Sequence, residues 1–516
     1  MSRVRHYTRS LASGYAAFAA NIVFSLVSVP LALHYLSKAE FGLWALTTQI
    51  AGFIGLVDLG MAGAISRIII DYKEDRASGD YGSVIKTGFL VNAAQGIVVL
   101  LLSLACAWLL VPWLEIGPEL EHNFRWLLAG QGVMLAATFA TRMWMHVLVA
   151  HQRYDVVNSA QTLSFAVNLA AAWVSLRAGH GVYSILWGQG AGFVMIAVIQ
   201  VWGCARLKLL PAPGHWGGAR WDRFLELFHF GKDVFLFSVG SQLIFASQTI
   251  LITRLLGLEM GAVWSVCSRT FTLGTQLIYR VFDFSCPVLA EMMVRGERDR
   301  LLQRFRAIAV LTTSLGLLGG VLIVAANGSF VAWWTGGRMQ WPRINDLLLA
   351  GWLVVCVISH AHVGLVGQTK NFRFLRFVYL LEGLLFVGLS LLTMKRGGVT
   401  AMLGASLFSS LLFSFPYGIH RTVQHFRLKW SEVLGGWSRP GLRLALIMTP
   451  LALGVCWMSR TLNPPAQLAV LAGVLGLPGL VVLVGWGVEA RFKQEVIRRG
   501  MVWWKARFSM KREGSA

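Results

Sequence analysis

LASGYAAFAANIVFSLVSVPLALHYL, residues 11–36, contains no Asp, Glu, Lys or Arg. As a helix rising 1.5 Å per residue it is about 39 Å long, enough to cross a hydrocarbon core of ~30 Å. It exceeds the apolar region of a signal peptide and no small-residue cleavage site follows it. It therefore reads as a retained first span behind the basic stretch 1–10. The turn Ser37-Lys38-Ala39-Glu40 ends it, and a second apolar run starts at once. The alternation continues along the chain, giving expected spans at 11–36, 41–70, 84–111, 122–150, 155–178, 182–205, 232–256, 260–293, 303–326, 345–368, 374–394, 399–420, 441–460 and 466–489.

No soluble domain fits between these runs. Of 516 residues, 56% are apolar and only 14% charged, with a mean hydropathy of +0.61; a soluble chain carries about a quarter charged residues. The expected fold is an all-α polytopic membrane protein of about 14 transmembrane helices. All six cysteines fall inside apolar runs without paired or metal-ligand spacing, which marks them as reduced packing residues. The net charge of +22 raises nucleic acid as a partner, but the basic residues sit in alternate loops, and that pattern excludes it. One set of loops, together with both termini, holds about 35 Lys and Arg against about 9 on the other side, so that side is expected to be cytoplasmic.

The loop 207–223, with Pro211 and Pro213, divides the chain into halves. The expected organisation is an N-lobe of six spans (1–206), a cytoplasmic linker with an amphipathic segment (207–231), a C-lobe of six spans (232–421), two further spans (422–489) and a basic cytoplasmic tail (490–516) that reads as an interfacial helix or a solvated tail. Two turns support the halving. Leu36-Ser37-Lys38-Ala39-Glu40-Phe41-Gly42-Leu43-Trp44 is matched by Leu256-Gly257-Leu258-Glu259-Met260-Gly261-Ala262-Val263-Trp264, each with Glu, one residue, then Gly opening a long helix. Six spans separate equivalent positions, so the repeats share one orientation, a plan common among transporters.

The stretch from His34 to Trp44, continuing to Gly55-Leu56-Val57-Asp58-Leu59-Gly60-Met61, resembles the polysaccharide transporter (oligosaccharide flippase) family of the multidrug/oligosaccharidyl-lipid/polysaccharide flippase superfamily. Members show a Tyr-Leu-Gly-x-x-Glu-Tyr-Gly-Leu-type turn and a Leu-x-Asp-x-Gly-type segment in span two; Ser37 stands here where Gly is usual. The resemblance implies two six-helix lobes around a central cavity, with spans thirteen and fourteen added. It also implies a bacterial inner-membrane location and alternating-access movement of a polyprenyl-diphosphate-linked oligosaccharide from the cytoplasmic to the outer leaflet. The implied partners are that lipid-linked oligosaccharide, the membrane, and the polymerase and glycosyltransferases of the same surface-polysaccharide pathway, the transporter itself being a monomer. No cofactor is implied beyond a coupling H+ or Na+.

Ionisable groups inside a span cost about 2.5–3.5 kcal/mol on insertion scales and usually face a cavity. In span eight, Arg269, Gln276, Arg280, Asp283 and Glu291 share one face of an ideal helix, with the arginines about 16 Å apart along the axis. An arginine fork suits phosphate oxygens, so Arg269 and Arg280 are candidate diphosphate ligands, with local neutralisation, Arg280 by Asp283, as the plainer account. Arg67 and Arg142, near cytoplasmic span ends, and Arg254, at an outer end, are further candidates, although snorkelling explains Arg67 and Arg142 more simply. Asp58 lies at the depth of Arg280 and is expected to close a gate with it, to hold a coupling ion, or to bond within its own lobe. Glu382, Asp283 and Glu291 are further gate or coupling candidates. Asn21, Asn168, Gln242, Gln248 and Gln276 are candidate polar cavity residues, equally explained by interhelical hydrogen bonds.

Gly188, Gly190 and Gly192 lie in an apolar span without a preceding strand, so they read as helix packing, not a nucleotide loop. His360 and His362 lack further clustered ligands and read as ordinary helix-end histidines, with no metal site. Two other functions compete with a flippase. A multidrug cation antiporter needs an acidic, aromatic cavity, which the arginine stripe disfavours. A membrane-embedded polymerase or ligase needs a sizeable outer loop, and the longest here is 327–345.

Overall fold

The computed structural model describes residues 3–74, 79–369 and 374–488; the expected tail, 490–516, lies outside them. The described residues are helical, with no strand among them. Ten stretches are long and apolar enough to cross a membrane, or eleven when the bent pair Pro118–Thr141 and Met143–Ala150 counts as one. One of the ten, Leu375–Phe426, holds two of the expected spans, divided at Gly398, whose φ of 57° no helix permits.

Contacts gather the chain into two compact units, Met1–Val266 with Leu375–Gly398, and Cys267–Phe374 with Val399–Ala516. The first unit holds α1 (Arg3–Tyr35), α2 (Lys38–Ile54), α3 (Met61–Tyr72), α4 (Asp80–Leu114), α5 (Pro118–Thr141), α6 (Met143–Ala150), α7 (Tyr154–Arg177), α8 (Tyr183–Arg206), α9 (Trp221–Phe245), α10 (Ser247–Leu256) and the body of α11 (Leu258–Cys267). Here α1 lies on α7, α7 on α8, α4 on α5, and α2 against both α5 and α10. Gly188 and Gly192 let α8 approach Asn168 of α7; a Cβ on Gly188 would stand 2.7 Å from the Asn168 carbonyl oxygen. That is the close helix packing expected of this glycine run.

Local chemistry sets the ends. Ser37 caps α2 reciprocally: its hydroxyl accepts from the Glu40 N–H at 3.2 Å, and the Glu40 carboxylate accepts from the Ser37 N–H at 2.8 Å. The residue that departs from the family's glycine thus supplies a cap. Gly42, one residue beyond the glutamate, packs on the second turn. A Cβ there would stand 2.0 Å from the carbonyl oxygen of Leu258, so only glycine fits. The two copies of the repeated turn therefore touch.

The linker lies along the start of α4. The Tyr81 hydroxyl donates to the Leu209 carbonyl at 2.6 Å, Ser83 to Gly218 at 2.7 Å and Lys86 to Gly217 at 2.8 Å. The expected amphipathic segment is not separate from span seven but continuous with it in α9, and its exposed end carries a stack of Trp221, Phe224 and Phe228.

The second unit holds α12 (Arg269–Asp283), α13 (Cys286–Val294), α14 (Arg298–Trp334), α15 (Arg343–Gln368), the later half of α16 (Leu375–Leu412), α17 (Ser414–Phe426), α18 (Arg439–Met458) and α19 (Pro464–Gly487). Its centre is α14, packed on α12, α15, α18 and α19, with Phe282, Phe305, Ile308 and Ile419 in a continuous apolar core.

Candidate functional site: a charge network at two helix breaks

Span two is not one helix. After α2 a single tight turn, Gly55–Asp58, leads to Leu59 (φ 51°) and Gly60 (φ 74°), both left-handed, before α3 starts. Such a break frees carbonyl groups that lipid cannot satisfy. Gln95 of α4 satisfies them: its amide nitrogen donates to the carbonyls of Val57 and Asp58, each at 3.0 Å. The Asp58 carboxylate turns back to accept from the Ala62 N–H at 3.4 Å, favoured there by the start of α3.

Span four breaks as well, bending 40° between α5 and α6. Arg142 is the residue at that bend, and its guanidinium reaches the break in span two. It lies 2.5 Å from Asp58 Oδ1, 2.8 Å from Gln95 Oε1 and 2.9 Å from Asn92 Oδ1, and packs on the Phe139 ring. The side chains of Arg142 and Asp58 are 12% and 23% exposed, and Asn92 and Gln95 are buried. One turn further along α6, buried His146 holds the Ser66 hydroxyl of α3 through Nδ1 at 2.8 Å. The breaks of spans two and four are thus joined to the unbroken helix of span three by one polar cluster.

This corrects one expectation and decides another. Arg142 does not snorkel; it is held inside by an ion pair and two amides. The Asp58 carboxylate is engaged by Arg142 within its own unit, the plainest of its three expected roles. Asn92, Gln95 and His146 escaped the sequence reading. Their signal was a pair of amides three residues apart inside an apolar run, and a histidine four residues after Arg142, on the same helix face.

The other candidates fall elsewhere. Arg67 is exposed and pairs with Asp71 at 3.6 Å. Arg254 meets Glu115 at 2.8 Å. Gln242 donates to the Gly52 carbonyl at 3.2 Å, Gln248 and Glu382 are buried, and Asn21 and Asn168 are half-buried. In the second unit, Arg269 opens α12 and Arg280 lies in its last turn, so both share one helix as expected, with Gln276 exposed between them. Asp283 pairs with His360 at 2.9 Å, not with Arg280, and the His360 ring lies flat on Tyr279 at 3.7 Å. Glu291 leaves the stripe because the helix breaks at Phe284 and Ser285. It sits on α13, exposed, with Arg295 at 2.5 Å. At the break before α12, buried Asn327 donates to the Cys267 carbonyl at 3.0 Å and to Asp346 at 2.6 Å, repeating the use of an amide to close a broken span.

Comparison with solved structures defines the class. The fold matches an inward-facing multidrug resistance MATE transporter of the MOP superfamily, with a TM-score of 0.63, 14% identity, and coverage of 78% of this chain and 98% of that one. It matches the lipid II flippase MurJ in an inward closed conformation with a TM-score of 0.65, 13% identity, and coverage of 94% and 100%. The chain therefore has the all-α, multi-pass fold of the MOP transporters.

The sequence model of the family described as "Polysaccharide biosynthesis protein" matches residues 34–341, more than half of the chain, and the chain belongs to that family. A relative is the succinoglycan biosynthesis transport protein ExoT of Rhizobium meliloti (strain 1021), 24% identical over 349 residues; the match covers 66% of this chain and 66%, just under two thirds, of that protein. Family membership places the chain in polysaccharide biosynthesis, and its fold is one that multi-pass membrane transporters share.

Proposed function

We propose that this protein flips a polyprenyl-diphosphate-linked oligosaccharide, or a related lipid-linked glycan, from the cytoplasmic to the outer leaflet by alternating access. One observation carries this reading: a guanidinium stands between apolar helices at the meeting of two broken spans, and its contacts with Asp58, Asn92 and Gln95 can be exchanged for phosphate oxygens. A diphosphate presents the same paired acceptors as Asp58 with more charge, so it competes for the Arg142 fork. Release of Asp58 would leave a carboxylate free to take a proton or sodium ion and would loosen both breaks together, coupling cargo binding to helix movement. In the second unit, Arg269 and Arg280 offer further donors at two depths of α12. An anionic cargo explains these arginines; a cationic drug does not.

Arg142→Ala should abolish surface-polysaccharide export at normal membrane protein level, and Arg142→Lys should restore only part of it. Full export by the Ala variant would remove Arg142 from the mechanism. Arg280→Ala, measured in the same way, tests the donor on α12.

A further inference from the structure

Away from the charge network, the second unit contains a groove of about 670 Å³ between α14, α15, α18 and α19. Its walls are apolar, with Leu317, Val321, Val354, Ala445 and Leu453 among them. One end is polar, formed by Ser329, Arg343, Asp346 and Gln467. Asp346 is spoken for, since its carboxylate accepts from Asn327 at 2.6 Å and from the Trp341 indole at 2.9 Å. Arg343 is exposed at the rim and opens α15, where the helix dipole adds to its positive charge.

The groove has the length of one leaflet. From Arg343 to Val354 the wall of α15 runs about 16 Å, against half of a ~30 Å hydrocarbon core. The cation lies at the polar end, where a lipid headgroup lies, and the loop charges put that end on the outer side. We infer that this groove is a binding site for an anionic phospholipid of the outer leaflet, one acyl chain lying between α14, α15, α18 and α19 and its phosphodiester on Arg343. A polyprenyl chain is a poorer fit, because the groove ends at the depth of a single leaflet. The site does not depend on the flippase reading.

The test uses the full-length protein purified in detergent, with dioleoyl phosphatidylglycerol titrated in and the bound lipid counted by native mass spectrometry. Gly328, in the groove wall, has open space where a Cβ would go, so Gly328→Leu fills the groove without meeting backbone. Wild type should retain one phosphatidylglycerol in preference to dioleoyl phosphatidylcholine. Gly328→Leu and Arg343→Ala should each weaken retention about tenfold, and Arg343→Lys should recover most of it. Should Gly328→Leu fail to fold, the Ala and Lys variants at Arg343 decide alone. Equal retention by wild type and Arg343→Ala, or occupation of the groove by an added polyprenyl phosphate in place of phosphatidylglycerol, would overturn the assignment.

Discussion

Arg142 illustrates what a guanidinium needs in order to stand inside a membrane: a counter-ion, acceptors for its remaining donors and an apolar surface. Asp58, Asn92 with Gln95, and Phe139 supply them. Removing one partner of such a pair strands the other. Asp58→Asn should therefore destabilise the protein by about 3–5 kcal/mol, read as a lowered thermal midpoint in detergent, and adding Arg142→Gln should recover most of that loss. An unchanged midpoint in Asp58→Asn would show that the pair does not hold these spans together. Sequence alone marks both residues, because each is charged within an apolar run. It does not pair them. Rise per residue gives depth along a span but not which helix lies beside it, so Arg280 competed as a partner until the packing of α3, α4 and α6 was known. The amides were harder to find, since Asn and Gln carry no charge to expose them.

At the scale of the element, Asp58, Arg142 and Arg269 sit at or beside breaks in their spans. An apolar run of given length looks the same whether its helix is straight or interrupted, so the ideal-helix stripe placed Glu291 beside Arg280 when a break at Phe284 and Ser285 separates them. The same limit hid the turn at Leu59 and Gly60. Two of the breaks, the turn after α2 and the one before α12, are closed by an amide from a neighbouring span, Gln95 in one unit and Asn327 in the other. Gly60, at φ 74°, holds a left-handed conformation that L side chains rarely adopt. Gly60→Ala should cost about 1–2 kcal/mol of stability in the same thermal assay. A neutral result would mean that the turn relaxes without loss.

For the whole molecule, composition, loop charge and run length sufficed for the membrane class, and the repeated turn pointed to an internal duplication. The structure adds that the two copies of that turn meet, with Gly42 against the Leu258 carbonyl. In the orientation expected from the loop charges, the contact seals the outer side during the proposed transport cycle. Gly42→Val should part it, so that a cysteine placed at buried Thr253 reacts severalfold faster with an impermeant maleimide added outside. Equal labelling would show that the contact is not a seal. The central claim, movement of an anionic lipid-linked glycan across the bilayer, is tested most directly by mass spectrometry of the lipid-linked glycan in cells lacking this protein, with its leaflet determined. The account predicts that the assembled glycan on its lipid carrier accumulates on the inner leaflet while the surface polysaccharide disappears. Accumulation on the outer leaflet, or intact surface polysaccharide without accumulation, would contradict it.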